Sequence, residues 1–207
     1  MEGDHGTMKV LLINGSAKEK GCTFTALSEV ARGLNESGVE TEILSLGTKP
    51  VADCMGCGKC RETGACVFGD IVNEIVEKAK TADGFVFGSP VYYAHASGRL
   101  LSVLDRAFYS GGKEFAFKPG AAVVSARRGG TTASLEVINK HFSINQMPIV
   151  TSNYWNMVHG NTPDEVRQDK EGMRTMYNLG RNMAWMIKCI QAGPEHPQNE
   201  KESTNFI

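Results

Sequence analysis

No run of apolar residues in this chain approaches the roughly 18 that a membrane-spanning helix needs, and the opening MEGDHGT has no signal-peptide pattern. An excess of one charge is missing too. The 22 Lys and Arg stand against 23 Asp and Glu, net −1, so nothing points to nucleic acid or an anionic membrane as partner. Also absent are a Gly-Lys-Ser/Thr phosphate loop, a three-glycine dinucleotide fingerprint, and any Ser/His/Asp or paired-carboxylate pattern that would argue for hydrolysis. No Pro/Gly/Ser-rich spacer, repeat or low-complexity block divides the interior. The expectation is a cytoplasmic protein with one domain over 8–192, polar tails at 1–7 and 193–207, and a small partner.

What the chain does contain is a regular alternation. Lys9–Asn14 reads as a buried strand, and Phe24, Leu27, Val30, Ala31 and Leu34 recur at helical spacing until Gly38. Val39–Leu46 alternates as a strand nearer an edge. Asp70–Lys80 is helical, Gly84–Gly88 is a central strand, and Leu100, Leu101, Val103, Leu104, Ala107 and Phe108 give the next helix its apolar face. Gly120–Ser125 and Pro148–Ser152 are the fourth and fifth strands, flanking a helix marked by Leu135, Ile138 and Phe142. The last helix, about Glu171–Gln191, turns Met173, Met176, Tyr177, Met183, Ala184 and Ile187 inward, with Cys189 as a small core residue. Five strands alternating with five helices specify an α/β sandwich of three layers around a parallel sheet. Ligands of such sheets bind beyond the carboxyl ends of the strands, so the loops after strands one, three and four should converge.

Those loops carry the chemistry. In LLINGSAKEKGCTFTAL, Leu11–Leu27, the first strand meets the first helix through a small Gly- and Ser/Thr-rich turn, an anion cradle suited to a mononucleotide phosphate. The loop after strand three, Ser89–Ser97, offers Pro90 and two aromatics to a flat conjugated ring such as an isoalloxazine, the lesser alternative being that Tyr92 and Tyr93 cap the sheet. The loop after strand four, Ala126–Thr131, offers glycines for close backbone approach, and two guanidinium groups that are either ligands or merely solvated. Gly47–Gly69 is a long irregular segment with four of the six cysteines, spaced Cys54-x2-Cys57-x2-Cys60-x5-Cys66. Four thiolates on one short loop suit a cubane cluster, and zinc, a disulfide or plain reduced thiols are the alternatives. His95, His159 and Trp155 lie in loops near the expected site as possible substrate or ring contacts, or as ordinary surface and packing groups.

Taken together, GSAKEKGCT at Gly15–Thr23, GSPVYY at Gly88–Tyr93 and the Gly-rich loop after strand four resemble the NADPH-dependent FMN reductases of the flavodoxin-like superfamily, over nearly the whole chain from Met8 to about Ala192. The resemblance implies a five-stranded parallel sheet of order 2-1-3-4-5. It places the FMN phosphate at Ser16, Lys18, Cys22, Thr23, Phe24 and Thr25, and the flavin ring at Pro90, Val91, Tyr92, Tyr93, Ala126, Arg127, Arg128, Gly129 and Gly130. Lys18 stands where the family pattern has arginine and Cys22 where it has asparagine. The cysteine run narrows the resemblance to iron-sulfur flavoproteins, implying a [4Fe-4S] cluster on Cys54, Cys57, Cys60 and Cys66. The implied activity is NAD(P)H-dependent: FMN passes electrons to a quinone, azo compound, free flavin or redox protein. The alternatives are an electron carrier without a small substrate and, more remotely, a zinc-stabilised nucleotide-binding protein. A homodimer or homotetramer is the assembly the resemblance implies.

Overall fold

In the computed structural model, which describes residues 7–200 and 202–204, the parallel sheet forms as expected. Its first half is β1 (Lys9–Asn14), α1 (Cys22–Asn35), β2 (Glu40–Ser45), the short α2 (Cys60–Thr63) and α3 (Ile71–Ala79). There follow β3 (Gly84–Tyr92), β4 (His95–Ala96), α4 (Gly98–Gly111), β5 (Gly120–Ala126), α5 (Thr131–Ile144), β6 (Met157–His159), α6 (Pro163–Gln168) and α7 (Lys170–Ala192). The sheet runs β2-β1-β3-β5-β6, with β4 attached to β3 as an antiparallel appendage, so the five parallel strands keep the expected order. Of the expected tails, 1–6, 201 and 205–207 lie outside the described residues.

The two-residue period of the strands sorts side chains between two cores. Leu11, Ile13, Phe85, Phe87, Ala122 and Val124 point to one face, where they meet Val72 and Ile75 of α3, Leu100 and Val103 of α4, and Ile138 and Phe142 of α5. Val10, Leu12, Val86, Ala121 and Val123 point to the other, against Leu27 and Val30 of α1 and Met176, Leu179 and Met183 of α7. The final helix's methionines thus fill a core as expected, whereas Cys189 is exposed. Cys189 falls on the solvent side of α7, off the stripe that buries Met183, Ala184 and Ile187.

α1 and α7 approach closely through glycine. A Cβ on Gly180 would stand 2.2 Å from the Val30 carbonyl oxygen, and one on Gly33 would stand 2.3 Å from that of Tyr177. Because the obstacles are backbone atoms, Gly180→Ala should force the helices apart and lower stability by about 1–3 kcal/mol. Urea unfolding should show this as an earlier midpoint with an unchanged slope. Among the described residues, no helix is long and apolar enough to cross a membrane.

Two further expectations are corrected. The fifth strand is not Pro148–Ser152: that segment makes only a single bridge, Ile149 opposite Gly120, and the strand proper is Met157–His159, paired with Val124–Ala126. The apolar run at 148–150 starts an edge strand, then the chain bulges outward and rejoins the sheet where the Asn156 carbonyl accepts from Val124 N–H at 3.0 Å. Consequently the segment 153–169, which follows Pro148–Ser152, contains both β6 and α6. The second correction is at 89–97, expected as a loop. β3 continues to Tyr92 and turns back at once into β4, with Val91 opposite Ala96 and Tyr92 opposite His95. The turn residues Tyr93 and Ala94 have φ of 49° and 60°, both left-handed, as a two-residue turn whose twist matches the strands requires.

Candidate functional site

The turn after β1 is built around Asn14, which is fully buried. Its Oδ1 accepts from Ser16 N–H at 3.1 Å, and its Nδ2 donates to the Glu19 carbonyl and Ser45 Oγ, each at 3.2 Å. Gly15 N–H donates to the Gly88 carbonyl of β3 at 2.8 Å. A side chain at 15 would put its Cβ 2.7 Å from that same oxygen, so this approach requires glycine. Ser16 Oγ accepts from Lys18 N–H at 3.1 Å and stays beneath the turn.

α1 then begins, its first internal bond running from Thr25 N–H to the Gly21 carbonyl at 3.0 Å. The N–H groups of Cys22, Thr23 and Phe24 precede that bond and have no carbonyl in the preceding turn of helix to donate to. With the positive end of a 14-residue helix behind them, they form a seat for an anion. Burial pushes the Cys22 thiol pKa up, so that side chain stays neutral and adds no repulsion there. Its Sγ lies 3.7 Å from the Gly160 carbonyl. Lys18 is exposed beside the seat. The hydroxyls of Thr23 and Thr25 are turned elsewhere: Thr23 Oγ1 bonds Ser125 Oγ of β5 at 2.8 Å, and Thr25 Oγ1 donates to the Gly21 carbonyl at 3.1 Å. These two residues therefore contribute to the seat through backbone position.

The loops expected to converge do so. The Thr23–Ser125 bond ties the start of α1 to β5, and Gly15–Gly88 ties the first turn to β3. Gly130, at the N-terminus of α5 with φ of 91°, lies under the β3–β4 turn: a Cβ there would be 2.4 Å from Ala94 Cα and 2.9 Å from Val91 Cγ1. Pro90 and Val91 are half-buried, Tyr92 is exposed, and Tyr93 at the tip is fully exposed. Ala126 is buried at the end of β5, and Arg127, Arg128 and Gly129 are exposed beyond it. The result is an edge with an anion seat at one end and backbone, proline and tyrosine surfaces beside it. His95 sits exposed on β4; His159 ends β6, its N–H donating to Asp169 Oδ2 at 2.8 Å. Trp155 is exposed, with Tyr154 packed edge-on against it.

All six cysteines are free thiols. Cys54, Cys57, Cys60 and Cys66 line one small pocket, with left-handed glycines at 56, 58 and 64 turning the backbone between them. Cys54 and Cys57 are exposed, while Cys60 and Cys66 are half-buried. Among the described residues, no three His, Cys, Asp or Glu side chains converge as a metal site. The pocket's inner wall holds a group that sequence reasoning missed, Arg106 of α4, with Asp70 beside it. Burial pushes the Asp70 carboxyl up, but the paired guanidinium outweighs it and holds the carboxyl below its usual range. The signal was present in the sequence: position 106 falls three residues after Val103, on the stripe α4 turns to the core.

The family model described as NADPH-dependent FMN reductase matches residues 8–162 of this chain. An iron-sulfur flavoprotein of Methanocaldococcus jannaschii is 35% identical over 192 residues, which cover 89% of this chain and 100% of the relative. An iron-sulfur flavoprotein of Methanosarcina thermophila is 32% identical over 191 residues, 89% of this chain and 97% of the relative. Among solved structures, a flavodoxin from the domain Archaea superposes with a TM-score of 0.58 at 16% identity, covering 87% of this chain and 99% of that one, which shows the flavodoxin-like fold. The sandwich with its loops gathered at the carboxyl edge of the sheet is thus that of a flavin-dependent oxidoreductase, and the chain belongs to the NADPH-dependent FMN reductase family.

Proposed function

We propose that FMN binds along the carboxyl edge of the sheet, with its phosphate on the backbone N–H groups of Cys22, Thr23 and Phe24 beside Ser16, Lys18 and Thr25. Its ring would lie against Pro90–Tyr93 and Ala126–Gly130. The observation that carries this reading is the joining of three loops around one anion seat, through Gly15–Gly88, Thr23–Ser125 and Gly130–Ala94. What the flavin supplies when bound is hydride uptake from a nicotinamide at N5 and release of electrons to an acceptor. The chain's own part is to seat the phosphate on backbone N–H groups beside Lys18, to hold the ring by backbone and proline contacts, and to leave one side open at Tyr93.

The four cysteines fit an iron-sulfur centre, as the names of the two relatives suggest. They line one pocket on a loop turned by its left-handed glycines, yet among the described residues no three of them converge on one point. Zinc requires four sulfurs at about 2.3 Å from a single ion, whereas a cubane gives each thiolate its own iron. Cys54, Cys57, Cys60 and Cys66 would hold a [4Fe-4S] group that relays single electrons toward a redox protein.

The test is anaerobic. The purified chain supplied with FMN should show flavin absorption, and NADPH or NADH should bleach it within the mixing time of a stopped-flow experiment. A chain that stays colourless with FMN overturns the reading. Flavin that binds but is bleached only by a protein donor would favour the electron-carrier alternative, which the exposure of Cys54 and Cys57 makes specific.

A further inference from the structure

Arg106 is 2% exposed, although no binding step so far described uses it. Its Nε and Nη2 donate to Cys66 Sγ at 3.3 and 3.2 Å. Nη1 and Nη2 donate to Asp70 Oδ2 and Oδ1, both at 2.8 Å, and Nη1 also donates to the Ala52 carbonyl at 3.2 Å. The flat face of the guanidinium covers the Phe68 ring, 4.5 Å from its centre. Asn73 meanwhile grips the backbone of Cys66 on both sides, accepting from its N–H and donating to its carbonyl, each at 2.9 Å.

A guanidinium this dry is costly unless it is matched. The fork-on-fork pair with Asp70 already neutralises it. The bonds to Ala52 and to sulfur are therefore additional, and they join the two ends of the cysteine loop, which leaves residue 52 and returns at Cys66. Among the described residues, no other cysteine of the four has a comparable partner: Cys60 Sγ reaches only the Tyr109 carbonyl, at 4.0 Å.

We infer that Arg106 is a positioning residue for the four-cysteine centre, clamping both ends of the loop and raising the electron affinity of an iron-sulfur group held there by donating two N–H groups to a ligand sulfur. The inference rests on the [4Fe-4S] reading above. Reduction of the cluster adds one electron, supplied by reduced flavin in the protein or by dithionite in a titration, and breaks no bond. The added negative charge spreads onto the sulfurs, so N–H donors and a cation in contact stabilise the reduced form more than the oxidised one. Asp70 opposes this through the same guanidinium, and removing its charge leaves the cation less compensated.

That opposition gives a test of sign. The full chain and its Arg106→Gln, Arg106→Lys and Asp70→Asn variants would be reconstituted anaerobically with iron and sulfide. Iron and sulfide per chain would be assayed and the midpoint potential followed by electron paramagnetic resonance. Asn also caps helices well, so Asp70→Asn should leave α3 in place. Arg106→Gln is expected to weaken the hold on the electron at least tenfold, a shift of about 59 mV to more negative potential for one electron. Asp70→Asn should shift it to more positive potential, and Arg106→Lys should recover part of the loss. Arg106→Gln loading fully with an unchanged potential overturns the inference and leaves the cluster reading standing. If Arg106→Gln does not load, Asp70→Asn decides: a positive shift supports the inference, and no shift or a negative one overturns it. An unsubstituted chain that takes up neither iron nor sulfide overturns the cluster reading and this inference together.

Discussion

Ser16→Asp is expected to weaken FMN binding about 100-fold, at some cost in stability because the new carboxylate is buried. Ser16 is buried under the first turn, its Oγ accepting from Lys18 N–H at 3.1 Å. A carboxylate oxygen can accept that same bond, as Asn14 Oδ1 does from Ser16 two residues earlier. The loop therefore keeps its shape and gains a charge facing a dianionic phosphate. At about 5 Å and an effective dielectric of about 40–80, a dianionic phosphate costs about 2–3 kcal/mol in total, and about 2.8 kcal/mol is 100-fold in affinity. Ser16→Ala removes only a turn bond and should change affinity less than tenfold. Quenching of flavin fluorescence on titration measures both. Equal dissociation constants for Ser16→Asp and the unsubstituted chain would mean that the phosphate sits elsewhere.

The features that could be read beforehand share a physical origin. β1, β3 and β5 are buried on both faces, so their apolar runs are unmistakable, and α1 and α4 are bounded by glycines. The anion seat was legible because a strand, a small turn and a helix start are all local. What was illegible depends on contacts between distant segments. Nothing near Tyr93 and Ala94 announces a left-handed turn: neither is Gly, Asn or Asp, and the tight pairing of β3 with β4 imposes it. The edge strand was displaced to 157–159 because hydrophobicity marks Ile149 and Val150 equally well, while backbone pairing with β5 decides between them. Thr23 shows the same limit within the seat. A hydroxyl at a helix start reads as a phosphate ligand, but Ser125, 102 residues away, takes it.

The β3–β4 turn and the loop after β5, proposed above to flank the flavin, are joined at a single glycine, and Gly130→Ala should show it. At φ of 91° an alanine is strained by about 1–2 kcal/mol, and its Cβ would fall 2.4 and 2.8 Å from Ala94 Cα and C. Those are backbone atoms of a turn that is itself left-handed at two residues, so no side-chain rotation relieves the overlap. Either the β3–β4 hairpin lifts or the start of α5 shifts, and both move Pro90–Tyr93 away from Ala126–Gly130. Strain and displacement together should cost about 2–4 kcal/mol, or about 5–15 °C in melting temperature for a chain of this size. FMN affinity should fall tenfold or more with it, because the ring loses one of its two walls. The neighbouring Gly129→Ala is the control: its Cβ would meet nothing within 4 Å, and its effect should stay within about 0.5 kcal/mol. If the two alanines behave alike in calorimetry, the close contact at Ala94 is not what joins the loops.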